Sequence, residues 1–257
     1  MLLTFGSCTK GSNEADPNTR SCIDLASSEI CFSRLLLLAK HVSPVDGDFS
    51  NVELYTCAAL DSIVGDTSDF PTNGAVTVYL SFPDTGCTDL DQRWKKGPVS
   101  ITYHDNFNNV GAVVQVLIDE FYTGLSRFRG QINMAHSSNS IYEISFVDCE
   151  MYSNTTIAEY TGTSTVIILS GDQTEDPSDD VYTYTSEIEG RDFEGTTYSA
   201  ISSTPIKMRT DCAWNTQGYF SVEPDGRSTR ILNYGDGTCN GQFVITADGQ
   251  EINVSIP

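Results

Sequence analysis

The sequence has few positive charges, no long apolar run and no catalytic signature. Its 257 residues include 14 Lys and Arg against 35 Asp and Glu, which gives a formal net charge of -21. Such a surface repels nucleic-acid phosphates and anionic lipid head groups, so both are set aside as partners. The longest purely aliphatic stretch, Leu35–Ala39, is far shorter than the ~20 residues of a membrane-spanning helix.

Motifs for common enzyme classes are absent. We find no G-x-S-x-G, H-E-x-x-H, P-loop or dinucleotide fingerprint. The histidines, His41, His104 and His136, have no Ser or Cys at a telling spacing, so we interpret them as surface or strand residues. A glycosidase needs only two carboxylates roughly 5–10 Å apart. A polysaccharide-acting enzyme therefore stays open as the alternative to a non-catalytic protein.

The acidity itself indicates solubility rather than metal binding. The densest acidic run, Asp172, Glu175, Asp176, Asp179 and Asp180, lacks the spacing of an EF-hand calcium loop. No C-x2-C or H-x3-H pair marks a zinc site. The sequence predicts neither a metal nor a cofactor.

The N-terminus looks like the end of a lipoprotein signal peptide. The apolar start Met1–Phe5 leads to the small residues Gly6 and Ser7, directly before Cys8. Lipoprotein processing leaves such a cysteine as the first residue and attaches diacylglycerol to its thiol. Only seven residues precede Cys8 and none is basic, which is short for a leader. We expect residues 1–21 to comprise a signal-peptide remnant, lipid attachment at Cys8 and a polar, disordered tether.

Eight cysteines without a metal pattern indicate an oxidising compartment. The flanking strand-like runs predict two disulfides, Cys57–Cys87 and Cys212–Cys239, with buried free thiols as the alternative. Closing the two loops is worth about 3–4 kcal/mol each in the chain-entropy model. The fates of Cys22, Cys31 and Cys149 stay open.

Periodicity predicts one helix followed by strands. Apolar residues recur at helical spacing over Ser28–Val42, and Pro44 forbids continuation. Alternation of period two then predicts strands. They are Val76–Phe82, Val99–Tyr103, Ile141–Phe146, Val181–Tyr184, Tyr219–Val222, Phe243–Thr246 and Ile252–Ile256.

Glycines introduce strands at regular intervals. Gly97, Gly130, Gly162 and Gly195 are 33, 32 and 33 residues apart, and Gly218 and Gly241 follow at intervals of 23. We interpret the six as hairpins of two lengths that all turn on one edge of a sheet, where a turn or bulge demands φ > 0. The predicted fold class is all-β with one N-terminal helix, a long antiparallel meander in an open or sandwich-like sheet. Residues 22–257 form this domain, with a possible sub-unit boundary near 190.

Two short patterns suggest surface functions. Trp94 beside Arg93, Lys95 and Lys96 is a basic–aromatic patch that either binds an anionic sugar or covers a sheet end. Asp61-Ser62-Ile63 is similar to the O-glycosylation site of exported Bacteroidetes proteins, with Ser62 as the acceptor.

An ordered set of motifs resembles a family of uncharacterised Bacteroidetes lipoproteins. The first half has Cys57-Ala58, Phe70-Pro71, Gly86-Cys87, the run RWKKG at 93–97 and Val99-Ser-Ile101; the second has Cys212-Ala-Trp214, Gly218–Val222, YGDGTC at 234–239 and Asp248-Gly249. The match covers most of residues 24–257, and departs where Asn240-Gly241 replaces an expected Asp-Asn. The resemblance implies an envelope lipoprotein of mostly antiparallel sheet and no particular activity.

Together these observations predict an exported protein of the bacterial outer membrane, anchored by lipid at Cys8. We expect a structural, adhesive or ligand-binding role, with a glycan or a protein as the partner.

Overall fold

The computed structural model describes residues 18–43, 48–49, 56–171 and 177–256. Two helices, α1 (Arg20–Phe32) and α2 (Leu35–Val42), precede thirteen strands. The strands are β1 (Ala59–Val64), β2 (Val76–Thr88), β3 (Trp94–Tyr103), β4 (Val113–Thr123), β5 (Ser126–Ser138), β6 (Ile141–Tyr152), β7 (Ile157–Ser170), β8 (Val181–Arg191), β9 (Thr197–Arg209), β10 (Gln217–Pro224), β11 (Arg230–Asp236), β12 (Gln242–Ala247) and β13 (Gln250–Ser255). Within these residues no helix is long and apolar enough to cross a membrane.

All thirteen strands form one sheet in sequence order, and every neighbouring pair is antiparallel. The predicted antiparallel meander is therefore confirmed. Residues Val113–Phe121 lie within strand β4, so no helical crossover separates β3 from β5. The sheet continues through residue 190, where the sequence suggested a boundary, because β8 pairs with both β7 and β9 there.

The helical segment starts earlier than the sequence predicted and is interrupted. Helix α1 begins at Arg20, eight residues before the predicted Ser28, and a turn at Ser33 and Arg34 separates it from α2. Both helices are buried on nearly all sides because the sheet curls around them. Phe32 packs against Phe128 of β5 and Tyr160 of β7, with ring centroids 5.6 and 5.2 Å apart.

Other contacts hold the two ends of the helical pair. The hydroxyl of Tyr103, at the end of β3, donates a hydrogen bond to the carbonyl oxygen of Ala39 at 2.7 Å. At the other end, the Ser21 hydroxyl donates to the Asp192 carboxylate at 2.6 Å, in the β8–β9 turn. The helices thus fill the concave side of the sheet, and its convex side forms the outer surface.

Glycine-containing bulges bend the sheet. The register between β3 and β4 shifts next to Gly97, the β5–β6 register shifts at Gly130, and the β6–β7 register shifts opposite Gly162. These glycines have φ of 101°, 154° and 147°, as the sequence predicted for turn or bulge positions. Bulges strengthen the twist of the strands they interrupt, so a line of them allows the sheet to curl around the helices.

The sequence predicted that the strands associated with the six glycines all start at one edge of the sheet. This is right for four of the strands and wrong for two. The strands β3, β5, β7 and β9 all start at one edge, as predicted. Gly97, Gly130 and Gly162 do not introduce their strands, however, since they are the fourth, fifth and sixth residues of β3, β5 and β7, and Gly195 lies in the turn before β9. Gly218 lies in β10 and Gly241 precedes β12, so both strands start at the opposite edge. The interval of 23 residues between Gly195 and Gly218 covers one strand rather than a hairpin.

Both predicted disulfides are present. Cys57 is joined to Cys87, and Cys212 to Cys239. Cys22, Cys31 and Cys149 are buried free thiols. Burial raises the pKa of Cys22 and Cys149 to about 12, which keeps both thiols protonated and unreactive at neutral pH.

Candidate functional site on the outer face of the sheet

An uncharged surface covers the central part of the outer side of β2 to β6. Alternate residues of these strands point inward to the core, and the intervening ones point outward. The outward residues form what we call the uncharged face: Thr77, Tyr79, Ser100, Thr102, Val113, Gln115, Leu117, Gln131, Asn133, Ala135, Ser145 and Val147. Charged residues bound it: Asp61 on β1, Asp119 on β4, Arg129 on β5, and Glu143 and Asp148 on β6. In a protein with 49 charged residues, from 14 cations and 35 acids, such a surface is distinctive.

Strand register aligns the polar members of this face in a row. Thr77 pairs with Thr102, Thr102 with Gln115, Gln115 with Asn133, and Asn133 with Ser145. The row crosses five strands, a length of roughly 19 Å at the usual strand spacing. These residues are far apart in sequence, so only the register brings them together.

Hydrogen bonds fix the amides of the uncharged face. The side-chain carbonyl of Asn133 accepts from the amide nitrogens of Gln115 at 3.1 Å and Gln131 at 3.0 Å. The Asn133 amide in turn donates to the Ser145 hydroxyl at 3.4 Å. The carbonyl oxygens of Gln115 and Gln131 accept no hydrogen bond from the described part of the chain. They are held in place and available to a ligand's hydroxyl groups.

Apolar and aromatic side chains accompany the amides. Tyr79, Leu117 and Val113 are exposed by 42%, 50% and 42%. Tyr79, Ser100, Leu117, Gln131 and Val147 form a second row beside the first. An uncharged surface with exposed apolar groups and fixed amides is suited to binding a hydroxyl-rich or partly apolar partner.

The predicted basic–aromatic patch is divided between the two sides of the sheet. Trp94 and Lys96 point outward, whereas Arg93 and Lys95 are buried on the inner side. The Trp94 ring lies directly over Gly86 of β2, where a Cβ atom would overlap it. Trp94 therefore covers the end of a strand, one of the two alternatives for this residue.

The inward residues belong to a buried ionic cluster. The Lys95 ammonium lies 2.6 Å from an Asp89 carboxylate oxygen and 3.1 Å from one of Asp91. Arg93 donates to the Thr123 hydroxyl at 3.1 Å, and Arg34 lies nearby on the helical side. Burial lowers the pKa of Lys95, but the two carboxylates outweigh burial and the net pKa is raised. These side chains hold the helical turn against β3 and cannot contact an external ligand.

The structure also locates the other predicted site residues. Ser62 is exposed on the edge strand β1, so its hydroxyl is accessible, and its glycosylation stays a prediction. Cys8 lies outside the described residues, as do Asp172, Glu175 and Asp176 of the acidic run. Asp180 accepts a hydrogen bond from the Lys40 ammonium at 2.8 Å. In the described ranges no group of three or more His, Cys, Asp or Glu side chains could hold a metal.

His136 lies in strand β5, as predicted for a strand residue. It is buried on the core side of that strand, and its ring stacks on Tyr142 with centroids 4.6 Å apart.

A groove with carboxylates in its lining bears on the enzyme alternative. A groove of about 470 Å³ lies over β8–β10, with Glu189 and Glu223 in its lining. Both residues pair with Ser199 of the intervening strand β9. They are thus two strand spacings, roughly 10 Å, apart, which is beyond the ~5–5.5 Å of a retaining pair and at the upper limit of an inverting one.

No protein-family model, curated protein or solved structure matches this chain. The resemblance to Bacteroidetes lipoproteins therefore stays a prediction. Sequence reasoning missed the uncharged face. Its signal was present in the outward positions of the predicted strands, such as Thr77, Tyr79, Ser100 and Thr102, but their register could not be assigned.

Proposed function

We propose that the protein is a lipid-anchored protein of the bacterial outer membrane that binds a neutral glycan on the uncharged face. The observation that carries the glycan proposal is the row of fixed amides and hydroxyls, from Thr77 to Ser145, on an otherwise acidic protein. The N-terminal sequence up to Cys8 supports the anchor. The two disulfides support an oxidising, extracytoplasmic compartment.

The chemistry of the face favours a neutral glycan over a charged one. Sugar hydroxyls both donate and accept hydrogen bonds, as do the amides of Gln115, Gln131 and Asn133. Tyr79 offers an exposed ring on which the apolar side of a sugar can stack. The row is as long as a short oligosaccharide. An acidic polysaccharide would be repelled by the net charge of -21.

Binding to defined polysaccharides tests the proposal. Affinity electrophoresis in laminarin or xylan, with polygalacturonate as the acidic comparison, measures the affinity. Leu117→Asp places a charge in the middle of the uncharged face and should weaken neutral-glycan binding about tenfold or more, because the buried charge lacks a partner. Gln131→Ala and Tyr79→Ala should each weaken it less.

Ile201→Asp provides the matched control. Ile201 is an exposed aliphatic residue on the outer side of β9, away from the uncharged face. This variant should bind like the wild type. Equal losses in Leu117→Asp and Ile201→Asp, or no binding to any neutral glycan, would refute the glycan proposal. Release of reducing ends during the assay, lost in Glu223→Gln, would instead support the enzyme alternative.

The anchor is tested separately in a Bacteroidetes host that expresses the full gene. We expect the protein to partition into detergent with diacylglycerol on Cys8, and Cys8→Ser to release it. Mass spectrometry showing an unmodified Met1 on the host protein would exclude the anchor, whatever the glycan result.

A further inference from the structure

The β4–β5 hairpin carries an exposed aliphatic residue at its tip. Leu125 lies in the two-residue turn after Gly124 and is 91% exposed. The turn is tied to the start of β3, because the Gly124 amide donates to the Trp94 carbonyl oxygen at 3.0 Å. Trp94, itself 37% exposed, therefore lies beside Leu125 at the same edge.

A row of cations and aromatics continues from this tip across the outer side of the sheet. Lys96 pairs with Tyr122, Tyr122 with Arg127, Arg127 with Tyr152, and Tyr152 with Ile157. The Arg127 guanidinium lies 3.8 Å from the centroid of the Tyr152 ring, and the Lys96 ammonium 5.9 Å from that of Tyr122. Ile157, at the end of the row, is 44% exposed. We call Trp94, Lys96, Tyr122, Leu125, Arg127 and Tyr152 the tip surface.

The described chain begins at this same edge of the sheet. In the meander, every turn from an even to an odd strand lies at one edge, so the β4–β5 and β8–β9 turns share it. The Asn18 side chain donates to the Glu194 carboxylate in the β8–β9 turn at 2.8 Å. Arg230, at the start of β11, donates to the Asn18 carbonyl oxygen at 3.4 Å. A chain arriving from Cys8 thus joins the fold at the edge that carries the tip surface.

The composition of the tip surface matches a membrane interface. Tyrosine and tryptophan prefer the head-group region, where the ring is half in apolar surroundings. Lysine and arginine extend along apolar surface with their charge in water, and an aliphatic tip residue can enter the acyl boundary. Arg127 is ion-paired with the Glu120 carboxylate at 2.7 Å, so Lys96 and the exposed Leu125 are the features of this edge suited to approach a bilayer in a strongly acidic molecule.

We infer that the tip surface seats the protein on the phospholipid bilayer to which it is anchored. This inference rests on the lipid anchor of the proposed function. Ten residue steps separate Cys8 from Asn18, and such a segment spans at most roughly 33–36 Å, so the tip surface stays within reach of the bilayer. The two acyl chains of a diacylglycerol suffice for anchoring, but they do not fix how the folded domain is oriented on the bilayer. Contact of the tip surface with the bilayer holds the uncharged face in a fixed orientation.

Unlipidated full-length protein allows the contact between the tip surface and the bilayer to be tested without the anchor. The Cys8→Ser variant is mixed with vesicles of phosphatidylethanolamine and phosphatidylglycerol, and bound protein is measured by sedimentation. In a Trp214→Phe background, Trp94 is the sole tryptophan and its emission should shift to the blue on binding. Leu125→Asp should reduce the vesicle-bound fraction about tenfold, because a carboxylate resists entry into the interface.

Val110→Asp is the matched control. Val110 is an aliphatic residue, 60% exposed, in the β3–β4 connection at the opposite edge. It should leave vesicle binding unchanged, and melting curves establish that both variants fold. Absence of vesicle binding and of the Trp94 shift in the Cys8→Ser protein would overturn the seat, as would equal losses in Leu125→Asp and Val110→Asp.

The outcomes separate this inference from the proposed function. Neutral-glycan binding should be lost in Leu117→Asp and retained in Leu125→Asp. Lipid on Cys8 is read from the host protein by mass spectrometry and does not depend on either variant. If substitutions in the tip surface weaken glycan binding and leave vesicle binding unchanged, the tip surface is a glycan site and the membrane inference is overturned.

Discussion

Glu29 shows how a single residue acquires a role that its local sequence does not indicate. The sequence predicted it in the first turn of a helix, where an acid suits the helix dipole. Because α1 begins at Arg20, Glu29 lies deep in the helix, fully buried, and accepts a hydrogen bond from the Tyr160 hydroxyl. Burial raises its pKa to about 7, although hydrogen bonds from Tyr160 and Tyr184 partly oppose this.

The raised pKa predicts a stability that falls with pH. Between the ordinary pKa of 4.5 and the folded value of about 7, the folded protein holds a proton that the unfolded chain releases. The stabilisation is therefore complete below pH 4.5 and is lost as pH rises to about 7. The shift corresponds to a change of about 3 kcal/mol in the free energy of unfolding.

Urea unfolding of wild type and Glu29→Gln at pH 5 to 8 measures this change. In Glu29→Gln the free energy of unfolding should decline less with rising pH, and above pH 7 this variant should be more stable than the wild type. The exposed Glu143 provides a control, since Glu143→Gln should retain the wild-type slope. A Glu29→Gln protein with an unchanged slope would contradict a buried, protonated Glu29.

At the scale of the strand, the bulge glycines decide whether the sheet can curl. A Cβ atom on Gly130 would lie 2.6 Å from the Cys149 sulfur and 2.9 Å from the Cys149 Cα. The Cα cannot withdraw without moving β6. Gly195, in the β8–β9 turn, has a φ of 87° but open space around its Cα.

Substitution by alanine should therefore lower the free energy of unfolding by different amounts at Gly130 and Gly195. Gly195→Ala should lose about 1–2 kcal/mol from backbone strain alone. Gly130→Ala should lose about 3 kcal/mol or more, because the collision with β6 adds to the strain. Equilibrium urea unfolding of both variants provides the comparison, and equal losses would show that the contact with Cys149 does not constrain the bulge.

Only part of the helical segment could be predicted from the sequence. Helical spacing placed Leu35–Val42 correctly because apolar side chains dominate it. It missed Arg20 to Ser27, where the buried residues include Ser21 and Asp24. A polar residue is buried there because it finds a partner on the sheet, as Asp24 does with the Phe193 amide at 2.8 Å. Such a partner is distant in sequence.

At the scale of the whole molecule, two disulfides close separate parts of the sheet. Cys57–Cys87 joins the segment before β1 to the end of β2, and Cys212–Cys239 joins the β9–β10 and β11–β12 connections. Their sequence separations of 30 and 27 residues are similar. Each closure reduces the entropy of the unfolded chain.

Removing either disulfide should therefore lower the melting temperature by a similar amount, and reducing both should lower it further. Cys57→Ser/Cys87→Ser and Cys212→Ser/Cys239→Ser should each lose about 3–4 kcal/mol, and reductant should have a smaller effect on each double variant than on wild type. Calorimetry with and without reductant measures this, with thiol titration in denaturant to verify reduction. A fully reduced wild-type protein with an unchanged midpoint would refute the stabilising role.

The sequence by itself predicted many of the strands, their antiparallel arrangement and the two disulfide pairs. Alternation of period two is a local signal, and short connections between strands force neighbours to run in opposite directions. The same alternation places Trp94 and Lys96 on one side of the sheet and Arg93 and Lys95 on the other, but it does not predict which side faces the core. The anchor at Cys8 and the glycosylation of Ser62 stay predictions from sequence.

Only the tertiary structure decided the direction of curvature and the composition of the surfaces. Because the sheet curls around the helices, Arg93 and Lys95 enter a buried ionic cluster while Trp94 and Lys96 face outward. The uncharged face arises when the register places Thr102, Gln115 and Asn133 side by side. Register and curvature depend on pairing and packing between distant segments, so no window of sequence contains them.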